Sequence, residues 1–152
     1  MTFSAMAFIG IAAAAVWAAL FAPPSADERA LEARLLSLPA RPVPVAILLP
    51  EKEWDRLCRL DPYSFPSRFL PRYLGESLKG YRYEPSDVWI DEEWNGLAFI
   101  DHSSRTIHVR AIPYKTINRL AGQRCVDRTE GKAALVEIRT PTVSYRQIEL
   151  SQ

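Results

Sequence analysis

The pattern of hydrophobic and polar positions first divides the chain into a charge-free leader and a mixed remainder. Residues 1–26 contain no charged side chain, and every residue of 5–22 is apolar or small. A helix over the 18 residues 5–22 rises about 27 Å, close to the thickness of the hydrocarbon core of a bilayer. The sequence therefore predicts an N-terminal hydrophobic helix within residues 1–24, either a transmembrane anchor or a signal segment.

The ends of the leader favour a retained anchor over a cleaved signal. A signal peptide normally begins with Lys or Arg and ends on small residues in an A-x-A arrangement, whereas Pro23 and Pro24 stand where cleavage would fall. Gly10, Ala14 and Ala18 recur every four residues. This spacing lines one helix face with small side chains and permits close packing on another membrane helix, although any Ala-rich helix produces it by chance.

The charges beside the leader bear on its orientation. Arg29, Arg34 and Arg41 follow it and no Lys or Arg precedes it, which by the positive-inside rule places the following domain in the cytoplasm. Asp27 and Glu28 lie among these arginines and weaken that inference. We expect a membrane-anchored domain in the periplasm or elsewhere outside the cytoplasm, and the cytoplasmic orientation stays open.

After the leader, helix-like and strand-like periods alternate, which predicts a small single α+β domain. Ser25 and Glu28 form a capping-box signature, so an amphipathic helix and a Pro-rich linker are expected over 25–42 and the globular domain over 43–152. Further predicted elements are a strand at 43–49, a helix from Pro50 to about Leu60, a helix at 71–79 closed by Gly80 and a helix at 114–121 closed by Gly122.

The segment 88–112 predicts a three-stranded meander with reversals at Asn95-Gly96 and at Ser103-Ser104. In this register Ile100 faces Ile107 and Ala98 faces Val109, so the apolar pairs agree with one another. Strands at 133–138 and 142–150 complete a mixed or antiparallel sheet of about five to six strands. The last strand is only half apolar and is expected at an edge.

Composition excludes some classes of protein and leaves the cysteines to consider. Charged residues make up 24% and hydrophobic residues 48% of the chain, and the net charge is +1, so a globular domain is indicated and a nucleic-acid partner is not. Cys58 and Cys125 are candidates for a disulfide, which requires an oxidising compartment. Two buried thiols are the alternative.

Aromatic and basic residues interleave over 59–83, the most unusual stretch of the domain. The candidate binding residues are Tyr63, Phe65, Arg68, Phe69, Arg72, Tyr73 and Arg82. Rings and guanidinium groups together suit a negatively charged protein or lipid partner; alternatively, the rings complete the core and the arginines are solvated. An acidic run over 84–93 follows, which either pairs with this stretch or forms a second docking surface.

Catalytic chemistry has little support in the sequence. There is no GxGxxG, GxxxxGK[ST], GxSxG or HExxH motif, so no cofactor is expected, and no Cys or His pair has the spacing of a metal site. Asp101 and His108 are the weak catalytic candidates because the predicted hairpin places them diagonally on one face. A polar cross-strand pair is the commoner meaning of such an arrangement, and the protein is more readily interpreted as a non-enzyme.

These observations together predict a non-enzymatic, membrane-anchored accessory or assembly subunit of a membrane or envelope complex, with a protein partner. One alternative is a small secreted or periplasmic enzyme, hydrolase-like, that uses Asp101 and His108. Another is a soluble inhibitor or immunity-type binding protein. Whether the protein binds a small-molecule ligand stays open.

Overall fold

The computed structural model describes residues 25–63, 65–87 and 89–152. None of the helices in these ranges is both long and apolar enough to cross a membrane. The predicted N-terminal helix, with Gly10, Ala14 and Ala18, lies outside the described residues.

The first described helix, α1 (Ala26–Leu36), begins as its capping box predicts. The Glu28 N–H donates to Ser25 Oγ at 3.2 Å, and the Ser25 N–H donates to Glu28 Oε2 at 2.7 Å. Leu31 and Leu35 are fully buried. The helix therefore packs on its own domain.

The described residues contain a second helix, α2 (Pro66–Leu74), a short 3₁₀ helix at Val45–Ile47 and nine strands in two sheets. The strands are β1 (Val43–Pro44), β2 (Arg56–Leu60), β3 (Arg82–Glu84), β4 (Trp94–Asp101), β5 (Thr106–Pro113), β6 (Arg119–Gly122), β7 (Cys125–Asp127), β8 (Lys132–Arg139) and β9 (Ser144–Ser151). One sheet has the order β3-β5-β4-β2-β7 and the other β1-β8-β9-β6. Both are mixed, because β3 runs parallel to β5 and β6 runs parallel to β9. The predicted α+β class is confirmed, but two sheets replace the predicted single one.

The hairpin of β4 and β5 has the predicted register, with Ile100 opposite Ile107 and Ala98 opposite Val109. The reversal predicted at Asn95-Gly96, after the first strand of the meander, is wrong. Gly96 lies inside β4 rather than in a reversal. A Cβ on Gly96 would meet the Leu60 side chain at 2.8 Å, so this glycine permits close packing of neighbouring strands instead of a turn.

The helix predicted from Pro50 to about Leu60 is a turn followed by strand β2. Leu57 and Cys58 are both fully buried, since the two faces of the five-stranded sheet are each covered. Leu57 belongs to a hydrophobic cluster that includes α1 and residues of both sheets, and Cys58 to a second cluster that includes Leu70 of α2. A strand buried on both faces lacks strict alternation of polar and apolar residues, and the spacing of Leu57, Cys58 and Leu60 between Arg56 and Arg59 is also compatible with a helix.

Other predicted bounds are also corrected. The helix expected at 71–79 begins earlier, at Pro66, and ends at Gly75, whose φ of 70° is left-handed. Where a helix was expected at 114–121, the chain forms a turn and β6. The strand expected at 43–49 is reduced to β1 because the chain then enters the 3₁₀ helix. Finally, β9 is not an edge strand, since it lies between β8 and β6.

The predicted disulfide is present between Cys58 of β2 and Cys125 of β7. The two residues are direct partners in the antiparallel register of these strands, with their Cα atoms 4.1 Å apart. Cys58 is fully buried in the cluster beneath α2. The bond therefore fastens an edge strand of the five-stranded sheet to its interior.

Candidate interaction surface

Helix α2 positions most of the predicted binding residues by dividing them among its faces. Pro66 and Leu70 are buried, Phe69 and Tyr73 are half-buried, and Arg68 is exposed. Residues four apart share one face of a helix, so Arg72 lies on the exposed face with Arg68. The helix thus presents two guanidinium groups to solvent while its opposite face fills the second hydrophobic cluster.

Asp61, just after β2, holds α2 in place. Its carboxylate accepts hydrogen bonds from the Tyr73 hydroxyl at 2.6 Å, from Arg124 at 2.9 Å and from Arg59 at 3.2 Å. The Arg124 guanidinium also lies 4.5 Å from the centre of the Tyr73 ring, and the Phe69 ring stacks on the Tyr73 ring with centroids 5.6 Å apart. Tyr73 and Phe69 are therefore half-buried and held by contacts that support the helix, and their binding role stays a prediction.

The pKa of Tyr73 agrees with this supporting role. Burial, followed by the hydrogen bond to Asp61, raises the pKa of Tyr73 to about 12. The hydroxyl remains protonated at neutral pH and keeps donating to the carboxylate. The contact is thus constant across the physiological range.

Three exposed aromatic side chains gather at the start of α2. Tyr63 is 58% exposed, Trp89 48% and Phe65 38%, and the rings of Phe65 and Trp89 meet edge to face with centroids 5.3 Å apart. The Tyr63 hydroxyl donates to Glu92 at 2.7 Å. Tyr63 also has a φ of 65°, a left-handed conformation that is costly for a non-glycine residue and is held here by its surroundings. The Phe65 and Trp89 rings are therefore exposed and in contact with each other, and the exposed Tyr63 side chain is held by its hydrogen bond to Glu92.

The acidic run after this stretch pairs with α2, but not through the exposed arginines. Asp87 accepts a hydrogen bond from the Ser67 N–H at 2.9 Å, at the start of the helix. A carboxylate is favourable there because the first N–H groups of a helix lack internal partners. Within the part of the chain that the structure describes, neither Arg68 nor Arg72 forms an ion pair.

The structure separates Arg82 from the other predicted binding residues. Its guanidinium lies 3.1 Å from Glu84 and 3.3 Å from Thr106. Strand register places these three residues on the sheet face opposite the one that packs on α2. We define the aromatic-basic surface as the group that stays together, which consists of Tyr63, Phe65, Arg68, Arg72 and Trp89.

Asp101 and His108 share a sheet face, as the predicted register requires, but each has its own partners. Asp101 accepts hydrogen bonds from the backbone and hydroxyls of Ser103 and Ser104, at 2.6 to 3.2 Å. Burial raises its pKa, but these bonds outweigh it and lower the pKa to about 2. His108 is buried, which lowers its pKa, and its Nδ1 lies 3.1 Å from Glu84. Their catalytic role stays a prediction.

A carboxylate–histidine cluster lies at the tip of the β4–β5 hairpin. His102 Nδ1 contacts Asp55, and His102 Nε2 lies 2.6 Å from Glu76. The Tyr81 ring meets the imidazole edge to face at 6.0 Å. Because the carboxylates occupy opposite edges of the ring, they clamp it between two segments instead of converging on one ion. Among the described residues, no group of three or more His, Cys, Asp or Glu side chains has the arrangement of a metal site.

This cluster predicts a pH-dependent stability. Burial lowers the pKa of His102, but the hydrogen bonds and charges of Glu76 and Asp55 outweigh it and raise the pKa above its ordinary value of 6.5. The stabilisation is therefore complete below pH 6.5 and is lost as the pH rises through the folded-state pKa. Thermal unfolding of wild type and His102→Gln should be measured from below pH 6.5 to above the folded-state pKa. The difference in the free energy of unfolding between the two proteins should be at most about 1 kcal/mol and should close as the pH rises. A gap that is constant or widens would contradict the clamp.

Sequence reasoning missed Asp61, Trp89, Asp55 and Glu76. Asp61 and Arg124 are 63 residues apart, and Asp55 and His102 are 47 apart. No local spacing indicates such contacts, because they depend on the pairing of β2 with β4 and β7. Trp89 was detectable only as an aromatic residue within the acidic run.

Comparison of the chain with protein-family models, with curated proteins and with solved structures found no match.

Proposed function

We propose that this protein is a non-enzymatic accessory or assembly subunit of a membrane or envelope complex, held to the membrane by its N-terminal segment. The observation that carries the proposal is the aromatic-basic surface. It combines three exposed rings with two arginines that have no ion-pair partner among the described residues. Tyr, Trp and Arg are the residue types that most often dominate the energy of protein interfaces.

The expected partner is a protein whose docking face carries carboxylates beside apolar side chains. Phe65 and Trp89 supply apolar area, and Arg68 and Arg72 supply charge for bidentate pairing with carboxylates. The side chains of Tyr63, Phe65 and Trp89 lose little conformational entropy on binding. Tyr63 is already hydrogen-bonded to Glu92, and Phe65 already packs on Trp89.

The disulfide supports a location outside the cytoplasm, since such bonds persist mainly in oxidising compartments. The charge-free segment 5–22 supports retention in the membrane. In this proposal Gly10, Ala14 and Ala18 form the face that packs on a membrane helix of the complex.

The proposal predicts that the aromatic-basic surface is needed for assembly. Membranes containing the full chain, tagged after Gln152, would be solubilised in mild detergent and separated on a native gel. Wild type should migrate with a much larger complex. The variants Phe65→Ala/Trp89→Ala and Arg68→Glu should remain in the membrane fraction but migrate as a small species, with docking weakened about tenfold or more.

Matched controls are available in β9 and in the connection that precedes it. Val143 is 55% exposed and Arg146 is exposed without a side-chain ion pair among the described residues, so Val143→Ala and Arg146→Glu should leave the complex intact. Migration of the Phe65→Ala/Trp89→Ala variant with the intact complex would refute docking through this surface. Gly10→Leu/Ala14→Leu tests the membrane contact separately, because it leaves the domain unchanged.

A further inference from the structure

A second exposed aromatic site lies at the other end of the β4–β5 hairpin. A surface cleft of about 360 Å³ is lined by Glu93, Trp94, Pro113, Tyr114 and Lys115. Trp94 is 40% exposed and Tyr114 is 51% exposed. Strand pairing sets Trp94 opposite Pro113, and the Tyr114 N–H donates to the Glu93 carbonyl at 2.7 Å. The two rings are therefore displayed from a fixed backbone.

This cleft is tied to α1. The turn after Tyr114 places Thr116 so that its hydroxyl donates to Glu32 of α1 at 2.6 Å. Glu32 is six residues after the start of α1, and six helical residues rise about 9 Å. The aromatic cleft is thus close to the part of the chain that leads back to the leader.

The length of chain before α1 limits how far this end of the domain can lie from a membrane. Only Pro23, Pro24 and Ser25 separate the apolar segment 5–22 from Ala26. The four backbone steps from Ala22 to Ala26 span about 14 Å at most. With about 9 Å of helix and the length of the Glu32 side chain added, the contact between Glu32 and Thr116 lies within about 30 Å of the membrane surface.

We propose that the Trp94–Tyr114 cleft faces the lipid bilayer and that both rings enter its headgroup layer. This inference rests on the proposed retention of the anchor. Trp and Tyr favour the membrane–water interface because each combines an apolar ring with one polar atom, and Lys115 can reach lipid phosphates. Glu93 lines the cleft, and Asp27 and Glu28 lie in the first turn of α1, so the contact depends on the rings rather than on net positive charge.

Tryptophan fluorescence of the full chain in phosphatidylcholine vesicles tests this arrangement. The chain has four tryptophans, at positions 17, 54, 89 and 94, and Trp54 is only 3% exposed. Trp17→Phe/Trp89→Phe leaves Trp94 as the exposed tryptophan, whereas Trp17→Phe/Trp94→Phe leaves Trp89. Trp54 gives the same background in both forms.

The expected result is that lipid brominated near the glycerol end of its acyl chains quenches the Trp94 form roughly twofold more strongly than the Trp89 form. Equal quenching of the two forms, in protein that floats with the vesicles, overturns the bilayer contact and leaves the proposed anchor standing. Protein that does not float overturns both the anchor and this inference. Docking through the aromatic-basic surface is scored independently on the native gel.

Discussion

Removing the disulfide with Cys58→Ala/Cys125→Ala should lower the free energy of unfolding by about 4 kcal/mol. The bond joins residues separated by 67 positions, and closing a loop of that length restricts the unfolded chain strongly. Because a domain of this size has a total stability of about 5–15 kcal/mol, this is a large share. Denaturant titration of the full chain in mild detergent, followed by tryptophan fluorescence, measures it.

A reductant provides the control for this prediction. It should bring wild type to the stability of the Cys58→Ala/Cys125→Ala variant and should leave the variant unchanged. A loss below about 1 kcal/mol in the variant would show that β7 is held by its strand pairing alone.

The second large effect is expected at the centre of the five-stranded sheet. Phe99 is fully buried and meets the Trp54 ring edge to face, with centroids 5.2 Å apart. Replacing it with alanine removes a large apolar surface and leaves a cavity between the two sheets. Phe99→Ala should lower the free energy of unfolding by about 3–5 kcal/mol, measured by the same titration.

Phe65→Ala is the matched comparison, because the same side chain is removed from an exposed site. Its cost should be about 1 kcal/mol or less, mostly from the lost contact with Trp89. Similar losses for the two variants would mean that Phe99 is not part of the main core. A selective effect of Phe65→Ala on complex migration, together with a small effect on stability, would separate docking from folding.

Local patterns predicted the parts of the fold that depend on neighbouring residues. The capping box at Ser25 and the register of Ile100 with Ile107 are set within a few positions along the chain, and both are confirmed. Turn residues were less informative. Gly96 marks close strand packing and Gly75, not Gly80, ends α2, because the role of a glycine depends on what lies beside it.

The features that local sequence patterns did not predict depend mainly on tertiary contacts. Pro50, Glu51 and Glu53 are typical of a helix start and predict a helix through Leu57 and Cys58, whereas pairing with β4 and β7 makes this segment a strand that is buried on both faces. Likewise, aromatic and basic residues over 59–83 indicated a surface, but not which of them it contains. Asp61 binds the Tyr73 hydroxyl and Arg124, whereas Arg68 stays exposed to solvent. These contacts form only when strands that are distant in the sequence pair with one another.

The position of β9 has a consequence for the order of events during synthesis. This strand lies between β8, its antiparallel partner, and β6, its parallel partner. The four-stranded sheet therefore cannot close while Ser144–Ser151 is still inside the ribosome or a translocation channel. Until then, β8 and β6 lack the strand that lies between them, and the hydrophobic core lacks Ile148 and Leu150, both buried in the finished domain. The nascent domain is expected to need a chaperone most during this interval.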